Sequence, residues 1–458
     1  MLTQAIGRSL ILIFMLGSVF GYAPAQSFKV PFTQFTLDNG LRVVLSEDHS
    51  APVVAVAVYY DVGSRNEVKG RSGFAHLFEH MMFQGSENVA KAEHFKYIEN
   101  NGGVFNGSTH VDFTNYYQFL PSNQLELALW LESDRMRSLR ITAANLKNQK
   151  EAVKEEKRMN VDNQAYWPAL IKMDEMVFAN WANSHSTIGS MEDLDASTLA
   201  DVRQFFRTYY APNNAVLAIA GDIDSARTAA LVRKYFSTIP AQKSPPKADV
   251  SEPNEVVTRK AVVGDQLARV PAIVMSWKIP ARRSPDSYAI ALLKTLLTDG
   301  ESARLYQLLV KEKAIALEIQ GTLEERRGPG QFAVFSIHKP DVKSEDVQLS
   351  IETELEKLKN ERVTEEELTK VKNQYRLGRF LGGGPEGEYA SLQTAMGRAL
   401  ALAEHTMFDG DPSIINTEID RYLAVTPDQI RDAARKYLGT ANRSVLFVQP
   451  AGNDVRAK

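Results

Sequence analysis

The sequence contains no cysteine, only eight histidines and four tryptophans, and almost no net charge. The absence of cysteine excludes a disulfide framework, a lipoprotein-type lipid anchor and the cysteine ligands common in structural zinc sites. A formal net charge of −3 over 458 residues gives no indication of nucleic-acid binding. A hydrophobic content of 44% is typical of a packed globular protein.

After its N-terminal region the sequence also lacks any apolar run long enough to be predicted as a transmembrane helix. The N-terminus has the pattern of a Sec-type signal peptide: a positive charge at Arg8, an apolar stretch at 10–20, and Ala-Pro-Ala at 23–25 as a cleavage site. We therefore expect residues 1–25 to be a signal peptide and the mature chain to be periplasmic or secreted. A cysteine-free secreted enzyme fits a bacterial periplasm. The alternative is that the segment stays uncleaved as an anchor.

The remaining chain of roughly 430 residues is too long for one ordinary core, which favours two domains. Residues 239–256 hold four prolines among polar residues and are predicted to be a linker between domains at 27–238 and 257–452. An apolar strand is predicted early in each domain, at 53–60 and at 270–277. The run 382–385, Gly-Gly-Gly-Pro, is predicted to break the last helical region rather than to bind phosphate.

The most specific pattern in the chain is His76-Leu77-Phe78-Glu79-His80. On a helix His76, Glu79 and His80 project from one face, because residues three and four apart are neighbours. Two imidazoles at this spacing can take two sites of a tetrahedral zinc ion, and the carboxylate between them can reach a water on the metal. The alternative is a pair of histidines at the edge of an amphipathic helix. Burying these three polar groups without a partner would be costly, which favours the metal.

A catalytic zinc needs a third protein ligand and an open position. The candidates are the glutamates in the charged segment 149–158, which are Glu151, Glu155 and Glu156. Such charged runs are ordinarily solvated helix faces. The residues alone do not choose among the three.

The chain resembles the pitrilysin/insulinase (M16) family of zinc metallopeptidases, the inverzincins, over nearly all of its mature length. The resemblance is carried by residues 61–67, 76–81, 101–106 with Thr114 and Tyr116, and 210–215 leading to Gly221 and Asp222. It implies an α+β fold of two related domains, each a mostly antiparallel sheet packed with helices, which together form half of a clamshell. Only the first domain is expected to carry chemistry.

The resemblance also implies roles for particular residues. In the family the glutamate ligand follows a helical valine by three positions, which assigns Glu156 as the ligand, with Glu155 as the second choice. His76, His80 and Glu156 are then expected to hold one Zn²⁺ per chain, and Glu79 to act as general base. A family glutamate seven residues before the ligand is replaced here by Gln149, which can still hydrogen-bond a histidine.

The family binds extended peptides along a sheet edge beside the metal, and the matching segment is Val104-Phe105-Asn106-Gly107. The alternative for this segment is an ordinary edge strand. The glycine stands where the family usually has alanine, which would loosen the strand. His110 and His185 lie in the same domain and are expected to be non-ligands.

Self-sufficient family members carry an Arg and a Tyr in the second half of the clamshell that help to bind the substrate carbonyl. The corresponding stretch here, residues 309–317, has no Tyr, and Arg304 and Tyr306 lie upstream in the wrong order. The chain therefore resembles the zinc-bearing subunit of half-length members. We expect an endopeptidase that pairs with a homologous chain supplying the Arg/Tyr pair, or that forms a homodimer. The alternative is a non-catalytic binding or assembly subunit.

Overall fold

The computed structural model describes residues 28–253, 258–382 and 391–451. The predicted signal peptide at 1–25 and the glycine run beyond Gly382 lie outside the described residues. Two sheets and sixteen α-helices are formed within the described ranges. No helix in these ranges combines the length and the apolar character that a membrane crossing requires.

The first sheet has six strands in the order β1-β2-β6-β3-β5-β4, with one parallel pair, β2 and β6. β3 and β6 are central because their apolar sequences are buried on both faces. β4 is an edge strand that pairs only with β5 in the described sheet. The strands are β1 (Thr33–Thr36), β2 (Arg42–Glu47), β3 (Val53–Tyr60), β4 (Val104–Thr109), β5 (Thr114–Pro121) and β6 (Ala215–Gly221).

Nine helices belong to the described part of the first half of the chain. The two that carry the predicted metal ligands are α1 (Phe74–Met81) and α4 (Ala143–Lys157), which pack against each other. The others are α2 (Glu93–Asn100), α3 (Leu125–Ser138), α5 (Trp167–Val177), α6 (Trp181–Ser184), α7 (Met191–Ala196), α8 (Leu199–Tyr209) and α9 (Ser225–Phe236).

The second sheet repeats the plan of the first. Its order is β7-β11-β8-β10-β9, with a parallel pair, β7 and β11, in the position of β2 and β6. β8 is therefore the counterpart of β3, and β9 is the counterpart of the edge strand β4. The strands are β7 (Arg259–Asp265), β8 (Ala272–Ile279), β9 (Ala316–Glu324), β10 (Gly330–His338) and β11 (Arg443–Pro450). The predicted fold class, two related α+β sheets packed with helices, is confirmed.

The described residues of the second half contribute seven helices. Residues 304–306 form a single α-helical turn, which continues as a π-helix over Gln307–Glu312. The helices are α10 (Ser287–Thr298), α11 (Arg304–Tyr306), α12 (Ser344–Asn360), α13 (Glu365–Leu381), α14 (Ala395–Asp409), α15 (Glu418–Leu423) and α16 (Pro427–Tyr437).

Two helices cross between the halves. α5 packs on β8 and β11 of the second sheet, where Met173 joins a buried cluster with Val274 and Leu446. α14 packs on β3 and β6 of the first sheet, where Ala399 joins a cluster with Ala57. The strands of the two sheets lie within 27–238 and 257–452, but each sheet is covered on one face by a helix from the other half.

Candidate metal centre and active site

The helix α1 begins at a fixed position because its N-terminus is held by one buried carboxylate. Gly73 adopts a left-handed conformation just before the helix, with φ of +81°. The side chain of Glu67 accepts hydrogen bonds from the backbone N–H of Gly73 at 2.9 Å and of Ala75 at 2.7 Å. Leu77, Phe78 and Met81 are buried in the first core, which leaves the motif residues on another face of the helix.

The helix α4 turns a glutamate toward α1. Thr142 caps the helix by accepting a hydrogen bond from the Asn145 N–H. Val153 is fully buried, and Glu156 lies three residues later on the same face. This face packs against α1, so Glu156 is brought to the histidines.

His76, His80 and Glu156 form a cluster whose potential ligand atoms all lie within 4.8 Å of one another. The two carboxylate oxygens of Glu156 are divided between the imidazoles: Oε1 lies 3.7 Å from His76 Nε2, and Oε2 lies 3.1 Å from His80 Nε2. The buried Nδ1 of His76 has no hydrogen-bond partner among the described residues. Two imidazoles and one carboxylate are a donor set that zinc takes in catalytic sites, so these residues fit the metal.

The other two candidate glutamates point elsewhere. Glu155 binds Arg158 at 2.9 Å and has an exposed side chain. Glu151 binds Lys154 at 2.8 Å and is also exposed. The sequence alone did not choose the third ligand among these three glutamates. In the described structure, only Glu156 is part of the cluster.

The charges in the cluster influence one another. Burial and the neighbouring imidazole of His80 lower the pKa of His76 to about 4. Burial also opposes the charging of His80, but the carboxylate of Glu156 outweighs it and raises the pKa of His80. The hydrogen bond from His80 lowers the pKa of Glu156. Neutral His76 and ionised Glu156 are the protonation states that bind a metal cation.

Glu79 lies beside the cluster without belonging to it. Its Oε2 accepts a hydrogen bond from the Thr109 hydroxyl at 2.6 Å. Burial raises the pKa of Glu79, and the Thr109 bond opposes this rise. A carboxylate with a raised pKa next to a metal site has the properties of a general base or acid.

Residues 42–184 match the model described as insulinase (peptidase family M16), and residues 196–375 match the model described as the peptidase M16 inactive domain. A relative named zinc protease PqqE, from Helicobacter pylori, is 31% identical over 372 residues, which are 81% of this chain and 83% of the relative. The chain belongs to the M16 peptidase family.

Solved structures share the M16 fold described above. A protease from Helicobacter pylori superposes with a TM-score of 0.86 at 27% identity and covers 92% of this chain and all of its own. The periplasmic protease PqqL from Escherichia coli superposes with a TM-score of 0.73 at 20% identity. That match covers 94% of this chain but only 49% of PqqL, so this M16 chain corresponds to about half of PqqL.

The segment predicted to bind peptide lies on β4, beside α1. Val104 is exposed, Phe105 is partly buried against Phe83 and Phe95, and the side-chain oxygen of Asn106 accepts a hydrogen bond from the Gly107 N–H at 2.9 Å. β4 is thus an open edge next to the cluster.

The remaining residues singled out in the sequence lie in different places. Gln149 is buried and hydrogen-bonds His80. His110 stacks on Phe113, and His185 bonds Glu67 at 2.9 Å, so neither joins the cluster. In the second half Arg304 is held by Glu354 and Glu367.

Two residues near the site were not predicted. Thr109 bonds Glu79, and Asn160, on a π-helical turn after α4, bonds Glu156. The alternation of β4 places 105, 107 and 109 on one face, which is the signal that points to Thr109. The sequence carries no comparable signal for Asn160, because the π-helical turn changes the helical spacing.

Proposed function

We propose that this chain is a zinc-dependent endopeptidase that hydrolyses peptides or small unfolded polypeptides. The observation that carries the proposal is the cluster of His76, His80 and Glu156 with the partly buried carboxyl of Glu79 beside it. Relatives named zinc proteases support the same reaction class. The proposed site holds one Zn²⁺ per chain.

The three ligands come from two helices, and their side chains are partly exposed to solvent. A catalytic metal requires an open position for water. Bound there, zinc supplies Lewis acidity, which activates a water molecule and polarises a carbonyl group. Gln149 fixes the ring of His80, and Asn160 fixes the carboxylate of Glu156.

Glu79 has the role of proton carrier. Its carboxylate accepts a proton from the attacking water and gives it to the amine that leaves. Both transfers occur on the same side of the site, because Glu79 lies one helical turn from His76 and directly precedes His80.

The substrate is proposed to bind as an added strand on β4. The backbone of Val104–Thr109 faces no other strand on its outer side in the described sheet, and Val104 is exposed. Backbone pairing gives affinity without demanding particular side chains, so the cleavage preference is expected to be broad.

We also propose that the chain acts as one half of a larger assembly, because PqqL contains about twice this length of chain in one M16 protein. A homologous chain that supplies an Arg/Tyr pair is the proposed partner, and a homodimer is the second choice. The signal-peptide pattern favours the periplasm as the location.

The test is hydrolysis of a mixed library of unstructured peptides by the zinc-loaded mature chain. Glu79→Gln is expected to keep one zinc per chain and to lose turnover by at least about 100-fold, the range of general acid–base catalysis. The exposed Glu87→Gln is the matched control and should cleave like the wild type. Cleavage at the wild-type rate by Glu79→Gln would contradict the role of Glu79.

A further inference from the structure

Glu79 is contacted by β4, the strand on which the substrate is proposed to bind. Residues 107 and 109 lie on the same face of this strand, since side chains alternate along it. The Thr109 hydroxyl donates to Glu79 Oε2 at 2.6 Å. A Cβ at position 107 would lie 3.1 Å from Glu79 Cγ, so Gly107 also packs against this side chain.

The end of β4 is anchored independently of Glu79. The N–H of Ser64 donates to the carbonyl of His110, and the N–H of Arg65 donates to that of Val111, both at 3.1 Å. The N–H of Arg327, from the second half of the chain, donates to the carboxylate of Asp112 at 2.8 Å. The turn that follows Thr109 is therefore hydrogen-bonded to two other segments of the chain. These contacts restrain the backbone of Thr109 without involving Glu79.

Thr109 has the stiffness that a positioning group needs. Its branched Cβ restricts χ1, so an anchored backbone also fixes the hydroxyl. The strand does not depend on that hydroxyl, because Thr109 pairs with Thr114 through the backbone ladder. In the described structure the hydroxyl bonds only the carboxylate of Glu79.

We infer that Thr109 is a positioning residue that orients the Glu79 carboxylate, so that one strand presents both the peptide and the base. Gly107 leaves the space that Glu79 occupies in this orientation. The expected effect on catalysis rests on the proposed function. The orientation of Glu79 by Thr109 does not depend on it. A misplacement of about 1 Å can reduce catalysis by about 100-fold.

The test compares Thr109→Val, which removes the hydroxyl at nearly constant shape, with Thr109→Ser, which keeps it. Thr36→Val, on the exposed strand β1 at the opposite edge of the sheet, is the matched control. Crystal structures of the zinc-loaded wild type and variants give the position of Glu79, and peptide hydrolysis gives kcat and KM. Zinc content and thermal midpoint are measured for each protein.

Thr109→Val is expected to move the Glu79 carboxylate away from position 109 and to lower kcat by about 100-fold, with KM and zinc content unchanged. Thr109→Ser keeps the hydroxyl but not the branched Cβ, so it should be much less impaired than Thr109→Val in both readouts. Thr36→Val should match the wild type. The inference is overturned if Glu79 stays in place in Thr109→Val, if that variant keeps its kcat, or if Thr109→Ser is equally impaired. A wild type that cleaves no peptide, either alone or with a homologous chain that carries the Arg/Tyr pair, would refute the proposed function, while the crystal structures would still decide whether Thr109 orients Glu79.

Discussion

At the scale of single residues, Glu67 sets the position of the helix that carries the metal motif. Its buried carboxylate accepts two backbone N–H groups at the start of α1 and also bonds His185 Nε2 at 2.9 Å. His185 in turn stacks on Trp181 and bonds the carbonyl of that residue. A carboxylate at a helix N-terminus satisfies free N–H groups and interacts favourably with the helix dipole.

Replacing Glu67 by alanine is expected to destabilise the fold by about 3–5 kcal/mol, because it leaves buried polar groups without a partner. Urea denaturation of Glu67→Ala and of the exposed Glu87→Ala gives the comparison. The control should lie within about 0.5 kcal/mol of the wild type. Equal stabilities of the two variants would contradict this role for Glu67.

Some residues of the candidate site could be predicted from the sequence, and others could not. His76, Glu79 and His80 are set by helical spacing, so their common face follows from the sequence alone. Glu156 required the family resemblance, because three glutamates shared one charged segment and the packing of α4 on α1 decides among them. Asn160 was not predictable, since it reaches Glu156 through a π-helical turn.

At the scale of elements, the strands were predictable and the crossing helices were not. β3 and β8 are largely apolar runs, and the strands expected at 53–60 and 270–277 lie at Val53–Tyr60 and Ala272–Ile279. α5 and α14 each have an apolar face, but a periodic pattern does not tell which sheet that face will cover. The exchange of these helices between the halves is determined by tertiary packing.

The crossing helix α5 carries a partly buried acid, Asp174, whose carboxylate accepts a hydrogen bond from Gln331 at 2.8 Å. Burial and the nearby Glu324 raise the pKa of Asp174 from 3.8 to about 7. A carboxyl whose pKa is raised in the folded chain contributes stability below its unfolded pKa, and this contribution is lost as the pH rises through about 7.

The thermal midpoint of the wild type is therefore expected to fall between about pH 5 and about pH 8 by more than that of Asp174→Asn, which cannot titrate at this position. Thermal unfolding at several pH values checks this difference. The exposed Asp341→Asn serves as the control and should follow the wild type. Parallel curves for the wild type and Asp174→Asn would show that Asp174 does not titrate in this range.

At the scale of the whole molecule, the two sheets have matching strand orders except for β1, which has no counterpart in the second sheet, but they differ in the functional residues beside them. The first has the cluster of His76, His80 and Glu156 beside its edge strand, whereas the described part of the second half contains no group of three histidines and acids close enough to share a metal ion. Arg304 forms ion pairs with Glu354 and Glu367. The second half therefore supports the first through α14 and through the contact of Arg327 with Asp112.

We expect the purified chain alone to be a weak peptidase, and a homologous chain with the Arg/Tyr pair to raise its kcat at least about tenfold by stabilising charge on the substrate carbonyl. Analytical ultracentrifugation and hydrolysis, with and without that chain, measure assembly and rate. A monomer with full activity would contradict the need for a partner.

The central claim is that His76, His80 and Glu156 bind one zinc ion. Calorimetric titration of zinc into the metal-free chain tests it most directly, with Glu155→Gln as the matched control for Glu156→Gln. The wild type and Glu155→Gln are expected to bind one equivalent with equal affinity, and Glu156→Gln to bind at least about 100-fold more weakly. Unchanged affinity in Glu156→Gln, or a loss in Glu155→Gln, would contradict the assignment.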